Sequence, residues 1–75
     1  MTTTASTWLG RFADELGLER PTEEEVEALL ALAGVAAHAS ERTSAPISCW
    51  LAARSGLPLA AVIALAEELA EELDA

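Results

Sequence analysis

The stretch "LAARSGLPLAAVIAL", residues 51–65, decides between two architectures. A small polar helix end, Gly56 and a second helix opening at Pro58 is the cadence of a helix-turn-helix DNA reader. It is equally the cadence of two packed helices joined by a Gly-Leu-Pro turn. In the first case the helix after Pro58 reads DNA, and its outward residues are Ala60, Ala61, Ala64, Glu67 and Glu68. None of these makes the bidentate contacts to guanine or adenine that Arg, Lys, Asn or Gln make. The glutamates would also face phosphates, whereas sequence-independent affinity comes from neutralising them. Arg54 is the one nearby cation. The stretch therefore reads as a helical hairpin, and no nucleic-acid partner is expected.

The same punctuation recurs on the N-terminal side. "PTEEEV", residues 21–26, places Thr22 as an N-cap with Glu25 three residues on, a capping box. Glu23, Glu24 and Glu25 crowd a first turn where the helix dipole favours negative charge. Two adjacent apolar stripes follow, Val26, Leu29, Leu30, Ala33, Ala36 and Ala37 beside Ala28, Leu32, Val35 and Ala39. So wide an apolar arc predicts a central helix that touches more than one neighbour. The remaining narrow face carries Glu24, Glu27, Ala31, Gly34, His38 and Glu41.

An earlier helix is expected over about residues 7–16, capped by Ser6 or Thr7, with Trp8, Leu9, Phe12 and Leu16 on its inner side and Gly17 as its stop. Residues 1–6 are expected to form a flexible tail. "SERTSAP", residues 40–46, reads as a loop, with Pro46 tolerated in the first turn of a third helix that turns Ile47, Trp50 and Leu51 inward. The fourth helix has a stripe of Leu59, Val62, Ile63, Ala66, Leu69, Ala70 and Leu73, backed by Glu67, Glu68, Glu71, Glu72 and Asp74. No period-two strand and no repeat is visible. The expected fold is all-α, one domain over residues 1–75, a small bundle of four short helices.

Composition bounds the rest. Thirteen acids against four Arg and no Lys give a formal net charge of −9. Such a field repels phosphate and anionic lipid surfaces and suits solubility or a basic protein partner. Cys49 is the one cysteine, so no internal disulfide forms, and a reducing, cytoplasmic setting is expected. The N-terminal residues carry no positive charge followed by an apolar run, so no signal peptide is expected. No stretch reaches the roughly 18 uninterrupted apolar residues of a membrane span. Abundant Ala with Arg in place of Lys is what a GC-rich bacterial genome would encode.

Few residues here bear chemistry. His38 is the one side chain that ordinarily titrates near neutrality. Its plain reading is a solvated histidine near a helix C-terminus. Its functional reading is a polar patch with Glu41 and Arg42, the candidate partner-binding residues. Arg42 in turn either bonds the open carbonyls that end the second helix or is presented to a partner. Cys49 reads as a small core filler, because a nucleophile needs a fixed base beside it. Trp50 and Arg54 stand four residues apart, where a cation–π contact can form. One His and scattered carboxylates lack metal-ligand spacing. No phosphate loop or nucleophile elbow is present, so neither metal nor cofactor is expected.

"LLALAGVAAHASERTSAPISCWLA", residues 29–52, resembles a small bacterial domain family of unknown function. The matching positions are Leu29, Leu30, Leu32, Ala33, Ala37, His38, Arg42, Ala45 and Pro46, together with Trp8, Leu16 and Gly17 further upstream. Two positions depart from the pattern. Gly34 stands where a charged residue is expected, and Thr43 stands where Pro usually follows the Arg. That family occurs alone and as an extension of molybdenum cofactor guanylyltransferases. The resemblance implies a non-catalytic accessory or interaction module linked to molybdenum cofactor maturation, with such a guanylyltransferase as partner. It carries over no catalytic residue. Two other functions stand beside it: a small helical enzyme or cofactor-handling protein using His38 or Cys49, and the DNA reader that the charge disfavours.

Overall fold

The computed structural model describes residues 2–74 and consists of four helices: α1 (Ala5–Leu16), α2 (Glu23–Ala39), α3 (Ser44–Ser55) and α4 (Leu59–Asp74). No strand occurs among the described residues, as the sequence indicates.

Each boundary has a local cause. The Thr22 hydroxyl accepts from Glu25 N at 3.1 Å, and the Glu25 carboxylate accepts from Thr22 N at 2.8 Å, so the capping box is closed in both directions. Thr22→Ala is expected to lower stability by about 0.5–2 kcal/mol, the usual loss for an N-cap. Urea denaturation checks this, and an unchanged midpoint would mean that α2 is held by something other than its cap. Gly17 ends α1 at φ 72°, with its own N–H reaching the Asp14 carbonyl and the Leu18 N–H reaching Ala13 at 2.9 Å. Pro46 lies in the first turn of α3. The Pro58 carbonyl accepts from Ala61 N and Val62 N as α4 begins.

α1 begins earlier than the sequence reading has it. Thr4, not Ser6 or Thr7, is the cap, its hydroxyl accepting from Thr7 N at 3.1 Å. Ala5 and Ser6 belong to the helix rather than to a tail, while Met1 lies outside the described residues. The apolar stripe that marks α1 starts at Trp8, one turn after the hydroxyl that caps it.

Packing is centred on α2, which lies against both α3 and α4. Leu32, 2% exposed, is its buried midpoint. Ala52 is the buried residue of α3, and the Cys49 thiol points at the Leu29 carbonyl at 3.8 Å, half-buried between α3 and α2. Small residues face the crossing because close helix approach leaves no room for large ones. The expected inward set is corrected accordingly. Ile47, Trp50 and Leu51 of α3 stay exposed, and so do Trp8, Leu9, Phe12 and Leu16 of α1, Leu30 of the α2 stripe, and Leu69 and Leu73 of the α4 stripe.

α1 does not join the α2–α3–α4 bundle. It is tied to the loop that follows it, where Arg20 forms an ion pair with Asp14, Nε to Oδ1 at 3.1 Å and Nη2 to Oδ2 at 2.5 Å. Gly10 makes room for this. A methyl group there would sit 3.0 Å from an Arg20 guanidinium nitrogen. The result is elongated, 43 × 30 × 18 Å. Its radius of gyration of 13.6 Å exceeds the roughly 11.3 Å of a compact 75-residue domain.

Candidate functional site

An open apolar groove of about 450 Å³ runs between the C-terminal half of α2, α3 and α4. Leu32 forms part of its floor, with Val35, Leu51, Val62, Leu65 and Leu69 around it. No charged side chain lines it, and its few polar atoms are serine hydroxyls. Alternation of large and small apolar residues along α2 and α4 produces this shape: alanines at 36, 66 and 70 leave the trough that the leucines border.

His38 lies beyond the end of the groove. It is exposed and shares a shallow depression with Val35 and Ala39 of α2 and with Glu67, Glu71 and Asp74 of α4. The sequence pattern placed His38 with Glu27, Gly34 and Glu41 on one face of α2. Its neighbours across the bundle are the carboxylates of α4, a pairing that only the tertiary fold creates. Among the described residues no cluster of His, Cys, Asp and Glu has the arrangement of a metal site.

Glu41 and Arg42 follow in the α2–α3 turn, both exposed. The Glu41 carboxylate accepts from the Thr43 hydroxyl at 3.4 Å. At the end of α2, Ser40 directs both its backbone N–H and its side-chain hydroxyl to the Ala36 carbonyl, at 3.1 and 3.0 Å. Arg42 makes no bond to the open carbonyls of α2, and its guanidinium has no hydrogen-bond or ion-pair partner among the described residues.

Cys49 and His38 lie in different places, the first facing Leu29 between α2 and α3, the second beside the end of α4. The cation–π contact is present, with the Arg54 guanidinium carbon 4.7 Å from the centre of the Trp50 ring. That ring is exposed rather than part of the core.

A second, more polar crevice lies between α1 and the start of α2, where Arg20, Glu23 and Glu27 meet Leu9 and Val26. Its cation is already engaged. The hydrogen bond from Arg20 holds the Asp14 carboxyl below the ordinary carboxylate range, with a smaller opposing effect from desolvation. A depressed carboxyl contributes its stabilisation above its ordinary titration range and loses it as pH falls through the lowered value, so the clamp is intact at neutral pH.

Exposed large side chains extend well beyond the groove. Trp8 and Phe12 on α1 stack at 5.5 Å between ring centroids, nearly parallel, on the outer face of the helix. Fold and surface together define a small all-α domain with an apolar trough on one side and an aromatic ridge at the other end. A family model described as a domain of unknown function, DUF6457, matches residues 1–75, and the chain belongs to that family. No curated protein and no solved structure matches it. Among the described residues no helix is long and apolar enough to cross a membrane.

Proposed function

We propose that this domain is a non-catalytic protein-interaction module and, following the family resemblance, that the protein it serves is a molybdenum cofactor guanylyltransferase. The observation that carries the first part is the exposed apolar surface. Leu51, Leu65 and Leu69 border a groove free of charge, and Trp8 and Phe12 stand in solvent on α1. Exposed apolar surface of this extent on a small chain marks contact with another protein. The α2–α3 turn supplies the polar edge of that contact. Arg42 is exposed and unengaged among the described residues, and Arg is among the side chains that most often carry binding energy at interfaces. His38 and Glu41 flank it. The enzyme reading through His38 or Cys49 draws no support from the geometry, since the thiol is directed at the Leu29 carbonyl and the imidazole lies elsewhere, in the depression beside α4. A cytoplasmic, bacterial setting fits the free Cys49 and the proposed partner.

The test is calorimetric titration of the purified domain with the guanylyltransferase encoded in the same genome. Binding is expected, weakened at least about tenfold by Arg42→Ala and less by His38→Ala, in the range of interface truncations. Melting temperatures should stay unchanged, because the Arg42 guanidinium bonds nothing in the fold among the described residues. No binding by the native domain would overturn the partner. A lower melting temperature with binding retained would make Arg42 a structural residue.

A further inference from the structure

We infer that the apolar surface is covered by a second copy of this chain, each copy seating its α1 in the groove of the other. This rests on the interaction reading above: the second copy covers the groove and the α1 ridge, and the exposed α2–α3 turn with Arg42 is left for the guanylyltransferase.

Area is the first argument. One copy presents 6172 Å² of accessible surface. A compact monomer of its 7.8 kDa mass presents about 4,400 Å², so the excess is about 1,800 Å² per copy. A stable interface needs only about 800 Å² from each partner. A single copy thus leaves open about twice what a dimer requires.

Shape is the second. One chain carries both a ridge of exposed Trp8, Phe12 and Leu16 on α1 and an open trough bordered by Leu51, Leu65 and Leu69. A two-fold axis lets a ridge and a trough on the same chain satisfy each other twice, which is the self-complementary arrangement of most small homodimers. The ridge is held away from its own trough. The Gly17 cap and the Arg20–Asp14 ion pair both lie before α2 begins at Glu23, whereas the trough begins at Leu32.

Charge is the third. Copies carrying −9 each repel at a distance, so they can meet only through uncharged faces. The trough has no charged lining residue, and a basic partner would find nothing there to pair with. The acids of α4 lie outside it, beside His38.

Light scattering on the intact chain at neutral pH tests this. The expected mass is twice 7.8 kDa. Trp8→Glu and Leu69→Glu, both at exposed positions, should each reduce it to a monomer while far-UV circular dichroism stays helical. Mixing the two variants is decisive. A Trp8→Glu copy keeps its trough and a Leu69→Glu copy keeps its ridge, so one of the two contacts is restored and the dimer partly returns. A monomeric native chain overturns the proposal, and so does a dimer indifferent to both substitutions or a mixture that stays monomeric. A native monomer that still binds the guanylyltransferase would leave the interaction reading standing and remove only the second copy. A native dimer that ignores the guanylyltransferase would do the reverse.

Discussion

Leu32→Ala should lower stability by about 2–5 kcal/mol, the range for deleting a buried leucine side chain. Leu32 is 2% exposed and, among the described residues, is the one large side chain fully enclosed, at the midpoint of the helix that touches both α3 and α4. A chain of this size has little stability to lose, since small domains bury a smaller share of their surface. At about 4–8 °C per kcal/mol for domains of this length, the melting temperature should fall by at least roughly 10 °C. The groove borders Leu32, so neighbouring leucines can settle into part of the vacated space, and the lower half of the range is expected. Leu30→Ala is the control. Leu30 stands two residues away on the same helix but is 67% exposed, and its truncation should change stability by no more than about 0.5 kcal/mol. Thermal melts at one fixed protein concentration separate the two. Equal effects would mean that α2 presents a different face to the bundle.

The contrast between those leucines also shows what the sequence could convey. Leu30 and Leu32 belong to neighbouring apolar stripes, and periodicity gives no reason to rank them. Hydrophobic spacing tells which residues share a face of a helix; it does not tell what covers that face. The stripe of Trp8, Phe12 and Leu16 is as regular as that of Val62, Ile63 and Ala66, yet only the second is half-buried within the bundle. Helix ends were more legible, because their chemistry is local. Thr22 with Glu25, Gly17, Gly56 and Pro58 each act within a few residues. The α3 face was misjudged for a related reason. Bulk suggested that Trp50 and Leu51 turn inward, but the crossing with α2 admits small residues, and Ala52 takes that place. At the candidate site, Glu41 and Arg42 sit in an exposed turn as the loop grammar implied. The neighbours of His38 on α4 were invisible to a helical wheel, since they arrive from about thirty residues further along the chain.

Gly56→Val and Gly34→Ala should shift stability in opposite directions, although both fill open space. Gly56 ends α3 at φ 72°, ψ 3°, and no atom lies within 4 Å of where its Cβ would stand. The cost there is therefore torsional rather than a clash. An L-residue held in the left-handed region loses roughly 1–2 kcal/mol, and a β-branched one tolerates that region least. The turn cannot easily relax to avoid it. Ser55 donates to the Ala52 carbonyl at 2.7 Å and accepts from Leu57 N at 3.1 Å, and Pro58 follows at once with its own φ fixed. Moving Gly56 to negative φ would swing α4 off α2. Gly56→Asn should recover part of the loss, because Asn visits the left-handed region most readily after Gly. Gly34 lies inside α2, is half-buried, and likewise has nothing within 4 Å of a built Cβ. There the glycine only adds backbone freedom to the unfolded chain, and Gly34→Ala should raise stability by about 0.5–1 kcal/mol. Urea midpoints at neutral pH measure both. A destabilising Gly34→Ala would mean that another surface comes within reach of that position, and a neutral Gly56→Val would mean that the α3–α4 turn is not the rigid connection that sets the two helices against α2.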